Sequence, residues 1–276
     1  MAVPFLGGYM FTVKQIVKQL EKIGAPRDGV VLVHSSLRAV GEVEGGGQGL
    51  LDALIEYFTA EGGLLCIATH TWGFMRRDRI TLDMTQAESN LGVLSRIAAA
   101  DKRAVRSENP SHSMAVFGQR DRVLDFVSGE ENLLSPTGPD SCYGKIFRQK
   151  GHILLVGVAH NRNTYLHCVD EMLGIPDRMS EDTVRVSVKR LTGEIVERDM
   201  IYHHCPFTVD LSLRFPKYET AFRYHHAITD GFVGNAPTQL CDAVKMKKVM
   251  EMIWERSNHT DVLRDEFPIP QKFYCN

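Results

Sequence analysis

Apolar and polar positions recur along this chain with two periods, and each change of period marks a new element. Ile16, Val17, Leu20 and Ile23 follow helical spacing behind Thr12 and Gln15, a capping-box pair, until Gly24 and Pro26 end the run. Val30 to Val33 is then continuously apolar, which predicts a strand covered on both faces, and it closes on His34-Ser35-Ser36-Leu37. Gly45-Gly46-Gly47-Gln48-Gly49 leads into Leu50, Leu51, Leu54, Ile55 and Phe58 on one helical face. Those glycines serve either a tight turn or close backbone approach to a phosphate, although neither G-x-G-x-x-G nor G-x-x-x-x-G-K-[ST] fits.

Leu64 to Ala68 predicts a second buried strand running into Thr69-His70-Thr71-Trp72, a plausible pocket wall. Met75 to Leu82, with Arg76, Arg77 and Arg79, reads as a solvated loop. Ser89-Asn90 offers a cap for a helix through Leu91, Leu94 and Ile97 that should end near Asp101. Met114 to Phe117 reads as a short strand, and Arg106 to Ser113 before it as extended chain with Ser111 and Ser113 facing one way and His112 the other. Ser135 to Ser141 is a turn-rich surface crossing.

Ile153 to Val158 predicts a further buried strand, followed by a polar turn and a helix that stops around Gly174 and Pro176. The period then becomes two: Val184, Val186 and Val188 alternate with Arg185, Ser187 and Lys189, and Thr192-Gly193 turns the chain into Glu194 to Ile201, an exposed hairpin. Gln239 to Trp254 is helical by spacing. The expected fold is α/β: a mixed, largely parallel sheet flanked by helices, with a smaller appended hairpin and helical region. Residues 1–180 would form the main domain, and 181–276 an appendage packed on the same core.

Composition narrows the class. Hydrophobic residues make up 43% and charged residues 24%, and no apolar run approaches the ~20 residues of a membrane helix. Met1 to Thr12 lacks a basic segment ahead of its apolar residues, so a cytoplasmic protein without a secretory signal is expected. The net charge of -2, without Lys/Arg blocks, argues against nucleic acid as a partner. The six cysteines are scattered without a C-x-x-C pair and read as free thiols.

Candidate chemistry centres on Asn163 to Glu171. On a helix, Thr164, His167, Asp170 and Glu171 share a face, so either carboxylate could orient the imidazole as a general base. A solvated face with an incidental ion pair fits the same spacing. Cys168 points about 100° away from His167 and is a poor nucleophile candidate. A metal site built from His203, His204 and Cys205 is not expected, since consecutive histidines in extended chain point to opposite faces. A serine-type hydrolase lacks its G-x-S-x-G.

Taken in order, these pieces resemble the antibiotic N-acetyltransferases of the aminoglycoside 3-N-acetyltransferase type. The likeness rests on Val33-His34-Ser35-Ser36-Leu37, the Gly45 to Ala53 stretch, Arg106-Ser107 with Pro110-Ser111-His112-Ser113 and Gly118, Pro136-Thr137-Gly138 with Ser141, and Thr164-x-x-His167. Ser141-Cys142 stands where the family commonly has Ser-Pro, Asn109 where it often has histidine, and Asp170 where glutamate is usual. The resemblance implies transfer of acetyl from acetyl-CoA to a small-molecule amine, an aminoglycoside among the candidates, without a covalent enzyme intermediate. His167 would be the base, with Thr164 and one of Asp170 and Glu171 beside it. The coenzyme would lie on the main domain against His34, Ser35, Ser36, Leu37, Arg106, Ser107, Ser111, His112, Ser113 and Ser141. His70, Trp72, His203 and His204 would line the acceptor side, where no acidic cluster suited to a polycation stands out. The GNAT pyrophosphate signature is absent, since Arg148-Gln149-Lys150-Gly151 is followed by His152-Ile153. An acyl-CoA thioesterase and a CoA-binding module without activity are the alternatives, and a homodimer is compatible with any of them.

Overall fold

The structure, a computed structural model, describes residues 10–74, 81–86 and 89–275. The Met1 to Thr12 reading falls mainly outside these residues, and so does the arginine-rich loop at 75–80. In chain order the strands are β1 (Val30–Ser35), β2 (Leu64–Ala68), β3 (Leu82–Asp83), β4 (Val105–Arg106), β5 (Met114–Phe117), β6 (His152–Val156), β7 (Val184–Lys189), β8 (Ile195–Met200), β9 (Ile228–Val233) and β10 (Ala236–Asp242). The helices are α1 (Val13–Ile23), α2 (Leu37–Val40), α3 (Gly46–Thr59), α4 (Val93–Ala100), α5 (Arg120–Val127), α6 (Cys142–Arg148), α7 (Tyr165–Met172), α8 (Glu219–Tyr224) and α9 (Ala243–Arg256).

A 7-stranded sheet in the order β4-β5-β2-β1-β6-β10-β9 forms the frame, and a 3-stranded sheet β3-β7-β8 stands beside it. The mixed α/β expectation holds, but the parallel character is limited to the centre: β1 pairs parallel with β2 and β6, while β5, β4, β10 and β9 add antiparallel. The central strands are continuously apolar because both faces are covered. Val30 and Leu32 belong to a core with α6, α7 and α9, whereas Val31 and Val33 belong to a second core with α1 and α3.

Local chemistry explains the ends of these elements. Thr12 and Gln15 form the reciprocal capping box of α1, with the Thr12 N–H donating to Gln15 Oε1 at 2.8 Å, and Gly24 closes the helix at φ +76°. At the start of α3 the glycines serve the turn: Gly45 sits at φ +76°, and a Cβ on Gly49 would fall on the Glu44 carbonyl oxygen. The hairpin is present as β7 and β8, paired from Val184↔Met200 to Lys189↔Ile195.

Three readings need correction. Gln239 to Asp242 is the end of strand β10, and the final helix starts at Ala243, capped by Asp242. The chain beyond 181 also supplies β9 and β10 to the main sheet, so the sheet crosses the boundary drawn from the sequence pattern. The chain from Pro110 to His112 is a turn held by Asn109, whose Oδ1 accepts from the N–H groups of Ser111 at 3.3 Å and His112 at 2.9 Å, and not extended chain.

Candidate active site

The carboxyl ends of β1, β2 and β6 open into one cavity of about 950 Å³, the place where an open α/β sheet leaves room for a ligand. His34 and Ser35 reach it from β1, His70 from just past β2, Ser111 and His112 from the turn before β5, and Thr164 and His167 from the first turn of α7. The far wall is the segment after β8, Tyr202 to Cys205, with Asp210 to Ser212. An antiparallel bridge between Met179 and His203, flanked by the His204 N–H on the Arg178 carbonyl at 2.8 Å, fixes that wall.

Imidazoles dominate the interior. His70 and His112 have ring centroids 4.5 Å apart, His112 and His203 4.8 Å, and His167 and His203 4.3 Å, the last pair nearly parallel at 14°. Phe215 stands edge-on to His167 at 4.7 Å. Burial holds His167 well below the ordinary imidazole range, and repulsion from His203, Arg178 and His70 adds to it. His70 and His112 are lowered for the same first reason, and burial takes His34 down to about 4. These rings are therefore neutral near pH 7, able to accept a proton or to share hydrogen bonds. His70 Nε2 meets the Tyr143 hydroxyl at 2.7 Å, His112 Nδ1 meets Ser111 Oγ at 2.9 Å, and the buried His34 Nε2 has no hydrogen-bond partner among the described residues.

The stripe drawn on α7 divides in three dimensions. Thr164 and His167 face the cavity, but Asp170 points into the core, where it accepts from Arg178 Nε at 2.9 Å. Burial pushes Asp170 up to about 7, while the Arg178 guanidinium draws it down. Arg178 itself is held more firmly protonated by Asp170 and by Asp261, which it reaches at 2.8 Å. Glu171 takes hydroxyl protons from Ser135 and Thr137 and lies 3.7 Å from His203 Nε2. Neither carboxylate is hydrogen-bonded to His167, so the orienting role read from helical spacing is not what the fold builds; that role was assigned on spacing alone, and the partners chosen are distant in sequence.

Of the residues expected on the acceptor side, His70, Trp72, His203 and His204 all line the cavity. Of those expected to hold coenzyme, His34, Ser35, Ser111 and His112 do so as well. The others lie in the framework. Ser36 caps α2 and Ser141 caps α6, each through its side-chain oxygen. Ser107 Oγ donates to the buried Glu130 at 2.9 Å, Ser113 Oγ to the Thr69 carbonyl at 2.9 Å, and Arg106 Nη2 to the same carbonyl at 2.8 Å. Leu37 packs against the α1 and α3 core. Cys168 is fully buried, and burial raises its thiol well above the ordinary range, which removes it as a nucleophile.

Cavity residues that the sequence pattern did not single out include Arg162, Arg185, Tyr202 and Asp210. Arg185 belongs to the alternating β7 run and could have been found as a polar position of that hairpin. Among the described residues lining the cavity, Asp210 is the only carboxylate. No group of three or more His, Cys, Asp or Glu side chains among the described residues is arranged to hold a metal ion. No helix among them is long and apolar enough to cross a membrane.

The chain is similar to aminoglycoside N(3)-acetyltransferase IV of Salmonella sp, 29% identical over 168 residues, which are 61% of this chain and 62% of that enzyme, so the match spans less than two thirds of its length. It is 23% identical over 250 residues to the SPbeta prophage-derived aminoglycoside N(3')-acetyltransferase-like protein YokD of Bacillus subtilis, covering 83% of this chain and 87% of that one. In fold it resembles the apoenzyme of aminoglycoside acetyltransferase AAC(3)-IVa, with a TM-score of 0.74 and 23% identity over 95% of this chain and 94% of the other. It also resembles AAC-IIIb in its binary complex with CoASH, with a TM-score of 0.76 and 19% identity over 91% and 98% of the two chains. The model of the aminoglycoside 3-N-acetyltransferase family matches residues 32–255, and the chain belongs to that family.

Proposed function

We propose that the protein is an acetyl-CoA-dependent N-acetyltransferase that acetylates an amine of a small molecule by direct attack, with His167 as general base. The observation that carries the reading is the His167 imidazole at the first turn of α7, facing a cavity of about 950 Å³, with burial favouring its uncharged, proton-accepting form. An ammonium has no lone pair with which to attack a thioester. The acceptor nitrogen must therefore be neutral as it bonds to the acetyl carbon, and its second proton passes to His167 while the C–S bond breaks and CoA leaves as thiolate. A positioned base of this kind contributes roughly 10² to 10⁴ in rate. His34, Ser35, Ser111 and His112 are the residues assigned to the coenzyme side, and His70, Trp72, His203 and His204 to the acceptor side.

Family membership points to an aminoglycoside acceptor, and the charge of the cavity narrows the choice. Among the described lining residues Asp210 is the only carboxylate, beside Arg162 and Arg185, the latter paired with Glu197 at 3.4 Å and Asp199 at 3.3 Å. Each ammonium of a polycation that loses water there without a counter-charge is penalised. The preferred acceptor is therefore an amine carrying at most one positive charge, with an apolar or aromatic body to match the rings.

Thiol release from acetyl-CoA, measured over a panel from aminoglycosides to arylamines, tests both parts. Acceptor-dependent release that His167→Ala lowers by 10² or more, at unchanged melting temperature, is the expected result. Full activity in His167→Ala removes the base assignment, and higher kcat/KM for an aminoglycoside than for any monoamine removes the acceptor assignment. The Ser111 Oγ to His112 Nδ1 contact at 2.9 Å favours one second reading, acyl-CoA hydrolysis through an acyl-serine. Acceptor-independent release with a pre-steady-state burst would select it.

A further inference from the structure

Among the described residues no carboxylate is hydrogen-bonded to His167, yet its ring is held from two sides. Phe215 contacts it edge-on at 4.7 Å, and His203 covers one face at 4.3 Å and 14°. His203 is anchored in turn. Its Nε2 lies 2.8 Å from Thr137 Oγ1, and the Thr137 hydroxyl donates its one proton to Glu171 Oε1. A hydroxyl that has given its proton to a carboxylate can only accept from its other neighbour, so His203 carries its hydrogen on Nε2 and donates to Thr137. Ser135 donates to the other oxygen of Glu171, which fixes the carboxylate from both sides. Thr137 is fully buried and the Glu171 side chain is 8% exposed, so the bond between them is largely withdrawn from water.

We infer that His203 is a positioning residue for the reaction: tied through Thr137 to Glu171, its imidazole lies flat against His167 and sets the plane of the ring that takes the proton. This rests on the reading of His167 as base. It assigns to Glu171 an indirect part through a threonine and a second histidine, in place of the direct contact expected from helical spacing. A ring free to turn about its Cβ–Cγ bond meets the amine proton in only part of its orientations, and a misplacement of about 1 Å in such a group costs on the order of 10²-fold.

The test compares His203→Ala, Thr137→Val and Thr137→Ser with the wild type and with His167→Ala. Thiol release is followed at saturating acetyl-CoA with the best acceptor from the panel, and melting temperature serves as the check of folding. His203→Ala and Thr137→Val should lower kcat by about 10- to 100-fold with KM for acetyl-CoA within about twofold, and Thr137→Ser, which keeps the hydroxyl, should stay within about threefold of wild type. A side chain that merely lined the wall would raise the acceptor KM and leave kcat alone. That outcome, or equal activity of Thr137→Val and Thr137→Ser, overturns the inference while an inactive His167→Ala leaves the base reading in place. An active His167→Ala overturns both. If His203→Ala does not fold, the Thr137 pair decides alone.

Discussion

Arg178 offers the sharpest test of what the α7 carboxylates do. Its guanidinium is 3% exposed and sits between Asp170, at 2.9 Å and 1% exposed, and Asp261, at 2.8 Å and 11% exposed. Arg178→Met removes the cation that bridges them and leaves both carboxyl groups without their partner. Breaking a buried pair from one side costs about 3 to 5 kcal/mol, which at roughly 2 to 4 °C per kcal/mol for a chain of this size lowers Tm by about 6 to 20 °C. Asp170→Asn should cost less, about 1 to 2 kcal/mol, because burial already disfavours the Asp170 charge and Arg178 keeps Asp261. The folded value of Asp170 lies above its unfolded one, so its contribution is present at low pH and fades as pH rises through about 7. The deficit of Asp170→Asn should therefore be larger at pH 5 than at pH 8. Urea denaturation of both single variants and the double variant gives the coupling, expected at about 2 kcal/mol or more. At 25 °C, folded Asp170→Asn should turn over within a few-fold of wild type. Additive single effects would mean that Asp170 and Arg178 are not coupled, and an Asp170→Asn of wild-type stability with kcat down a hundredfold would mean that Asp170 orients His167 after all.

Two further outcomes follow from burial elsewhere. His160 is fully buried, its Nε2 without a hydrogen-bond partner among the described residues, and burial lowers it from the usual 6.5 to about 4, so its neutral form is stabilising above pH 6.5 and that stability is lost as pH falls toward 4. Between about pH 7.5 and 5.5 the wild type should lose about 1 kcal/mol more than His160→Gln, and parallel pH curves from chemical denaturation would contradict this. Gly49→Ala should destabilise by about 3 kcal/mol or more, because the new Cβ meets the Glu44 backbone, which has no rotamer to change; a Tm within 2 °C of wild type would show that the α3 turn yields.

The central strands and the placing of the cavity were legible because both follow from short-range pattern. A run such as Val30 to Val33 has one stable environment, between two layers of helices, and its polar end at His34 has to emerge at the sheet edge. Strands β9 and β10 were not legible. β9 lies at the edge of the sheet and exposes Thr229, Asp230 and Phe232, and β10 carries Pro237, which reads as a break. Pro237 is tolerated because its carbonyl accepts the Gly157 N–H at 2.9 Å, an interaction that needs only the acceptor half of a peptide group.

At the site, helical spacing identified the face that carries His167 and failed on its partners for a reason that spacing cannot contain. Residues three and four positions apart share a face about 50° to either side of one another, so a small rotation of α7 decides which of them meets the cavity and which meets the core. That rotation is set from outside the helix. Arg178, eight residues beyond Asp170, draws that carboxylate inward, and the hydroxyls of the Ser135 to Thr137 turn draw Glu171 sideways. Both anchors also hold the wall that bears His203, Arg178 through its carbonyl on the His204 N–H and Thr137 through the imidazole itself. The carboxylates of α7 thus fix the position of a second ring against the first, and the geometry of the base depends on contacts spanning residues 135 to 215 that no local window of sequence includes.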